Sequence, residues 1–90
     1  MWRVVLSKKA RKQLNKLNPN QSRVILAWLK KNIDGCENPR ALGKALTGDL
    51  SDQWRYRIGD YRVLCEIHDG ELIVLALNVI HRSKAYQKKS

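Results

Sequence analysis

The sequence has few cysteines and no arrangement of residues typical of a metal site. Its two cysteines, Cys36 and Cys65, are isolated from each other, and the chain has only two histidines, His68 and His81. Four such scattered residues do not give the ligand spacing of a zinc site. We therefore expect no metal and no cofactor, and we expect Cys65 to be a buried free thiol on a strand.

Long apolar runs are also missing. The apolar stretch Trp2–Leu6 is too short for a signal peptide, and lysines and arginines follow it at once. No segment has the length and apolar character needed to cross a membrane. These features predict a cytoplasmic protein with no membrane partner.

Acidic residues are scarce relative to basic ones. The chain has 8 Asp and Glu against 18 Lys and Arg, which gives a formal net charge of +10. A nucleic acid is the leading partner, because basic side chains release the counterions of a phosphate backbone. An acidic protein partner is compatible with this interpretation. An anionic membrane surface is less favoured, since the basic helices lack a large apolar face.

The chain is expected to form one domain over residues 1–90. Its hydrophobic content of 43% and three tryptophans favour a folded globule with a small core. The pattern predicts a strand at Trp2–Leu6, two helices joined as a hairpin, a connecting segment and three further strands. The predicted fold class is α+β, with order β-α-α-β-β-β: a small antiparallel sheet with an N-terminal strand and the helical hairpin packed on one face.

The predicted helices have clear start signals. Ser7 is a suitable N-cap for a helix that begins at Lys8, and Asn18 with Pro19 begins the second helix. That helix should stop at Asp34-Gly35. A single helical turn is possible within residues 40–46 of the connecting segment.

The central feature of the sequence is a predicted hairpin over residues 50–65. Aromatic and β-branched residues alternate with arginines on both sides of Gly59-Asp60, which suits a two-residue type II′ turn. That turn sets the cross-strand pairs: Ile58 with Tyr61, Arg57 with Arg62, Tyr56 with Val63, Arg55 with Leu64, and Trp54 with Cys65.

Opposed residues share a face of a sheet, so this register separates an apolar face from a cationic one. We call Arg55, Arg57 and Arg62 the arginine patch and expect it to lie on an open face. Arg57 directly opposes Arg62, and like charges in that position are destabilising. A bound polyanion would compensate, although three solvated arginines remain the simpler alternative.

The end of the chain is predicted to reach the arginine patch. Asp69-Gly70 indicates a type I′ turn, followed by a strand over residues 71–80 that is apolar enough to be buried on both faces. Because this strand runs back along its neighbour, its end should bring His81, Arg82 and Tyr86 to the patch.

Few kinds of catalytic chemistry fit these residues. Two histidines could act as an acid and base pair, but His68 and His81 should lie on the order of 30 Å apart along the hairpin. No nucleophilic triad, phosphate-binding glycine loop or carboxylate pair is evident. Arginines can stabilise a phosphorane but are poor bases, since guanidinium keeps its proton up to a pKa above about 12.

Four segments together resemble the RelE/ParE toxin superfamily, and its RelE-type branch best: Asn38–Arg40, Leu46–Leu50, Trp54–Leu64 and His81–Tyr86. The resemblance implies a toxin of a bacterial type II toxin–antitoxin system, an endoribonuclease that cleaves mRNA in the ribosomal A site by attack of the 2′-hydroxyl. It also implies a cognate RelB-like antitoxin, with operator DNA bound only by the toxin–antitoxin complex.

The resemblance also implies roles for individual residues. Arg55 and Arg57 stand where basic residues are credited with proton transfer and charge stabilisation, and Arg62 where an arginine contacts the scissile phosphate. Arg82 corresponds to a residue that stabilises the transition state or the leaving group. Tyr86 corresponds to a tyrosine that orients or stacks the nucleotide, although it could instead pack the C-terminal tail onto the sheet.

Two assignments go beyond the arginines. With arginine at both 55 and 57 the general base is open, and His81 is a candidate because its ordinary pKa suits acid–base work. The lysines expected to contact RNA are Lys8, Lys12, Lys44 and Lys84. For Lys8 and Lys12, a solvated helix face with no contact to RNA is an equal alternative. For Lys44, a solvated surface lysine with no functional role is nearly as favoured.

Two competing functions stay open at the level of sequence. One is a ParE-like inhibitor of DNA gyrase on the same fold, against which the arginine patch, Arg82 and Tyr86 weigh. The other is a non-catalytic basic module that binds RNA or DNA.

Overall fold

The computed structural model describes residues 1–45 and 53–85. In chain order the elements are β1 (Arg3–Leu6), α1 (Lys8–Lys16), α2 (Pro19–Asn32), a 3₁₀ turn (Pro39–Ala41), β2 (Lys44–Ala45), β3 (Gln53–Ile58), β4 (Tyr61–His68), β5 (Ile73–His81) and α3 (Arg82–Ala85). The α+β class and the helical hairpin are confirmed. No helix within the described residues has the length and apolarity to span a membrane.

Both helix starts are where the caps predict them. The Ser7 hydroxyl accepts a hydrogen bond from the Ala10 N–H at 3.0 Å. The Asn18 side chain accepts one from the Asn20 N–H at 2.8 Å, and Pro19 occupies the first turn. The helix α2 ends just before a glycine with φ of +83°, Gly35, which is the usual way to close a helix.

The sheet has five strands in the order β1-β5-β4-β3-β2. The prediction of a wholly antiparallel sheet is wrong. Strand β1 runs parallel to β5, with Arg3 beside Ile73 and Leu6 beside Ala76. The sequence of a single short strand does not indicate its partner or its direction. Both depend on which edge of β5 the rest of the fold leaves open. The two-residue strand β2 was also not predicted, since it is too short to show a period of two.

The central hairpin has the predicted register. All five cross-strand pairs between β3 and β4 occur as expected. Gly59 has φ of +59°, and Asp60 is not among the described residues with positive φ. This combination is the one that a type II′ turn at Gly59-Asp60 requires. Tyr56, Val63 and Cys65 are fully buried, and the Tyr56 ring lies 5.6 Å from the Trp28 ring of α2.

The turn between β4 and β5 is longer than predicted. It spans residues 69–72, so β5 begins at Ile73, which pairs with His68, and the expected two-residue turn with Glu71 beside His68 is wrong. Arg40 binds both carboxylate oxygens of Asp69 at 2.9 Å. This contact between residues distant in sequence holds Asp69 outside the ladder, which a local turn signal cannot anticipate.

Strand β5 is not buried on both faces. Val74, Ala76 and Val79 are buried in the core, whereas Ile73 and Ile80 are only partly buried. The helices α1 and α2 contribute to the core on one face of the sheet. A continuous apolar run therefore reflects one buried face and one partly covered face here.

Candidate functional site

The arginine patch lines a cleft on the face of the sheet away from the core. Arg55 and Arg57 reach it from β3 and Arg62 from β4, while the edge strand adds Gly43 and Lys44. The cleft has a volume of about 250 Å³. Lys44 pairs directly with Arg55 across the ladder, and Arg57 pairs with Arg62. Four cationic side chains thus border one small concave surface.

The three arginines differ in exposure, and the expectation of a fully open face is wrong for one of them. Arg57 is exposed and Arg55 is partly exposed, but Arg62 is only 7% exposed. Arg62 lies on β4, the middle strand, between Arg57 on one side and Ile80 on the other. It therefore forms the inner wall of the cleft and Arg57 its outer rim.

The connecting segment is held against the sheet by side chains of β3. The Tyr56 hydroxyl donates to the Pro39 carbonyl at 2.6 Å, and the indole N–H of Trp54 donates to the Leu42 carbonyl at 2.6 Å. Gly43 has φ of +80°, and a Cβ there would clash with the Arg55 carbonyl and the Trp54 indole. This close approach places Lys44 in the cleft.

A second contact ties the same segment to the far end of the sheet. Arg40 forms a bidentate pair with Asp69 at 2.9 Å. Its guanidinium, through that hydrogen bond, holds the pKa of the Asp69 carboxyl below its usual range. The residues Asn38–Arg40, noted in the sequence as part of a motif, therefore anchor the cleft's edge strand.

His81 does not join the arginine patch, so the predicted convergence on the patch is wrong for this residue. It pairs with Tyr61, so both rings lie on the face opposite Arg62, with centroids 5.1 Å apart in an edge-on arrangement. His81 and Tyr61 line a separate groove with Gln13 and Lys16 of α1. The strand's alternation decides this, because His81 is one residue out of phase with the patch.

The His81 ring binds the start of α3. The Ser83 N–H donates to Nδ1 at 3.2 Å, and the Ser83 hydroxyl lies 2.9 Å from the same nitrogen. The ring thus acts in the manner of an N-cap. Nδ1 accepts this bond only when it carries no proton.

Arg82 lies at the turn between β3 and β4. Its N–H donates to the Asp60 carbonyl at 2.8 Å, and its Nε is 3.9 Å from the Asp60 carboxylate. This turn is the end of the sheet at which Arg57 and Arg62 pair. Lys84 belongs to α3 but its side chain is not among those described, and Tyr86 lies outside the described residues.

The lysines of α1 form a different cationic surface. Lys8 and Lys12 line a groove along α1 with Lys9, Gln13 and Lys16. None of these residues lines the arginine cleft. Their predicted contact with RNA stays a prediction, and it would involve a separate surface.

Other reactive groups are not placed for catalysis in the described part of the chain. His68 contacts Glu66 at 3.1 Å. It lies at the opposite end of β4 from Tyr61, which pairs with His81. Burial raises the pKa of the Cys65 thiol to about 12, which makes it unreactive. No group of three or more His, Cys, Asp or Glu side chains among the described residues could hold a metal ion.

Comparison with known proteins places the chain in a family. A family model described as the ParE toxin of type II toxin–antitoxin systems, parDE, matches residues 4–86. The chain belongs to the RelE/ParE superfamily of type II toxins. Two curated relatives in this superfamily are from Mycobacterium tuberculosis. Toxin RelG is 30% identical over 88% of both chains, and Toxin RelE is 42% identical over 56% of this chain and 52% of its own.

A solved structure confirms the RelE-like fold. The toxin–antitoxin complex RelBE2 of Mycobacterium tuberculosis contains a chain that is 30% identical, with a TM-score of 0.81, over 90% of this chain and 98% of that one. The match to Toxin RelE spans about half of each chain, whereas the structural match spans nearly all of both.

Proposed function

We propose that this RelE/ParE-superfamily toxin is a ribosome-dependent endoribonuclease that cleaves mRNA in the ribosomal A site and so stops translation. The observation that carries the proposal is the cleft in which Arg55, Arg57, Arg62 and Lys44 meet. A cleft bordered by four cations suits the phosphate of an RNA chain and the additional negative charge of a phosphorane.

The chemistry matches what arginines can do. The 2′-hydroxyl attacks the adjacent phosphorus, and the charge that develops on the phosphorane oxygens is stabilised by guanidiniums. Arg62, buried at the inner wall, is suited to contact the scissile phosphate, and Arg57 at the rim to bind its neighbours. Guanidinium cannot serve as a base at neutral pH. Accurate placement of the substrate must therefore supply much of the rate, and the ribosome provides it.

We propose roles for the other predicted residues as well. Arg82, at the sheet end where Arg57 and Arg62 pair, stabilises charge on the transition state or leaving group, and Tyr86 stacks the nucleotide. His81 is not retained as the general base, because its ring lies on the opposite face; it instead positions α3. Lys8 and Lys12 of α1 contact RNA of the ribosome outside the cleft, and Lys84 contacts RNA near Arg82.

The proposed cellular partner is a RelB-like antitoxin. A solved structure similar to this chain, with a TM-score of 0.81, is of a toxin–antitoxin complex, and a net charge of +10 favours an acidic partner. We propose that the antitoxin neutralises the toxin in the cytoplasm, and that the two together bind operator DNA and repress their own transcription.

The first experiment maps cleavage of a defined mRNA by primer extension, with and without translating ribosomes. We expect cuts only on ribosome-bound message. Arg62→Ala should lower the single-turnover rate by about 100-fold or more, as expected for loss of a group that stabilises transition-state charge. Because Arg62 is buried, the exposed Arg57→Ala should be tested beside it and should also lose activity, with the thermal unfolding of each variant as a check on folding.

The lysines of α1 provide the contrast. Lys8→Ala should weaken binding to the ribosome while the cleavage rate at saturating protein changes little, since Lys8 lies outside the cleft. An equal loss of the saturating rate in Lys8→Ala, Arg57→Ala and Arg62→Ala would contradict a catalytic role of the cleft and favour a non-catalytic basic module.

A second candidate function is inhibition of DNA gyrase, which the description of the matching family model as a ParE toxin favours. Toxicity in cells with DNA damage, and no cuts on mRNA with or without ribosomes, would establish that alternative. The arginine cleft would then bind a protein or DNA surface without chemistry.

A further inference from the structure

Lys44 differs chemically from the arginines that surround it. It comes from the edge strand β2 and faces Arg55 and Arg57 of β3 and Arg62 of β4 across the cleft. Guanidiniums bind phosphate but stay protonated at neutral pH, whereas a lysine ammonium can give up a proton and recover it. Among the described residues that line the cleft, Lys44 is the one side chain able to transfer a proton.

Several contacts with β3 fix the position of Lys44. Trp54 and Tyr56 each donate a hydrogen bond to a backbone carbonyl of the segment that precedes β2. Gly43, directly before Lys44, lies so close to the Arg55 carbonyl that no side chain fits there. An edge strand of only two residues is thus fixed firmly enough to present one functional group.

We propose that Lys44 is a catalytic residue, the general acid that protonates the leaving 5′-oxygen when RNA is cleaved in this cleft. The inference rests on the proposed endoribonuclease function and names a group for the step that the arginines perform poorly. As the 2′-oxygen bonds to phosphorus, its proton passes to water. The bond from phosphorus to the 5′-oxygen breaks, and that oxygen takes a proton from the Lys44 ammonium. The products are a 2′,3′-cyclic phosphate and a 5′-hydroxyl, and water returns a proton to the Lys44 amine.

Protonation of the leaving group can be separated from phosphate binding by changing one atom of the substrate. An alkoxide is a poor leaving group and needs an acid, whereas a thiolate leaves readily without one. Two synthetic mRNAs are therefore compared on ribosomes, identical except that one carries sulfur in place of the bridging 5′-oxygen at the position that the wild-type protein cuts.

The variants are Lys44→Ala, which removes the charge, and Lys44→Arg, which keeps the charge but transfers protons poorly. Both should cleave the oxygen substrate about 100-fold more slowly than wild type or worse, and the sulfur substrate within about threefold of wild type. Lys30→Ala, which removes an exposed lysine on α2, is the matched control and should behave as wild type on both substrates. Lys44 is exposed, so thermal unfolding should be almost unchanged.

Three results would overturn the assignment. Equal slowing on the two substrates would show that Lys44 only binds phosphate. A wild-type rate for Lys44→Arg on the oxygen substrate would show that charge alone suffices. Failure of the wild-type protein to cut either substrate would overturn the proposed function and this role with it, whereas the first two results would leave the endoribonuclease function standing.

Discussion

At the scale of single residues, His81 shows how the phase of a strand determines what a side chain can do. It follows Ile80, which pairs with Arg62, but its own ring points to the opposite face beside Tyr61. Its nitrogen accepts a hydrogen bond from the start of the short helix that follows. The same residue type that suits acid–base catalysis therefore acts as a cap here.

His81→Asn is expected to preserve activity better than His81→Ala. Asparagine is a favoured N-cap and can accept the Ser83 N–H, whereas alanine loses a cap worth about 1 kcal/mol locally. Cleavage of ribosome-bound mRNA should stay within about threefold of wild type in the asparagine variant, because that cap energy is retained. Loss of activity in both variants to the same degree, with folding intact, would instead show that the imidazole takes part in proton transfer.

At the scale of elements, β2 is the feature that completes the cleft. It has two residues, and both are exposed, so burial does not hold it in place. Hydrogen bonds from Trp54 and Tyr56 and the close contact of Gly43 with β3 do so instead. Such a strand is sensitive to changes at its entry.

Gly43→Ala should destabilise the protein by more than the ~1–3 kcal/mol expected for a non-glycine residue at positive φ, because the added Cβ also meets the Arg55 carbonyl. Gly35→Ala is the matched control, since Gly35 has φ of +83° but no atom within 4 Å of a built Cβ. Urea unfolding measures both. We also expect Gly43→Ala, and not Gly35→Ala, to slow cleavage by displacing Lys44. Equal effects of the two substitutions on stability and rate would show that the close approach is unimportant.

At the scale of the whole molecule, the core contains ionisable groups that must stay neutral. Burial raises the pKa of the Cys65 thiol from 9.0 to about 12, and burial is also the main reason that the pKa of the Tyr56 hydroxyl is raised above 10.0. The unfolded chain loses these protons at a lower pH than the folded chain does. The contribution of these neutral groups to the free energy of unfolding is therefore fully present below pH 9 and declines as the pH rises towards 12.

The free energy of unfolding should fall by up to about 1.4 kcal/mol per pH unit for each group, above pH 9 for Cys65 and above pH 10 for Tyr56. Cys65→Ala should make the decline between pH 9 and 10 shallower, although it also lowers the stability at pH 7 by leaving a cavity. Cys36→Ala is the comparison: burial also raises the pKa of the Cys36 thiol, but that thiol is only partly buried, so the slope should change less. Urea unfolding at a series of pH values gives the slopes. An unchanged slope in Cys65→Ala would contradict this account.

The features that depend on interactions between residues close in sequence were predictable. The pairing of Arg57 with Arg62 follows from the alternation of side chains and from the turn at Gly59-Asp60. Ser7 and Asn18 likewise mark the helix starts through hydrogen bonds to residues two or three positions away. For these features the deciding interaction lies within a few residues of the pattern.

The sequence by itself determined the α+β class, the central hairpin and its register, because periodicity, caps and turn residues act over short distances. Only the tertiary structure decided which groups share the cleft. The parallel pairing of β1, the longer turn held by Arg40, the burial of Arg62 and the phase of His81 all depend on contacts between segments far apart in the chain. The same is true of Lys44, whose place beside the arginines follows from how the edge of the sheet is packed.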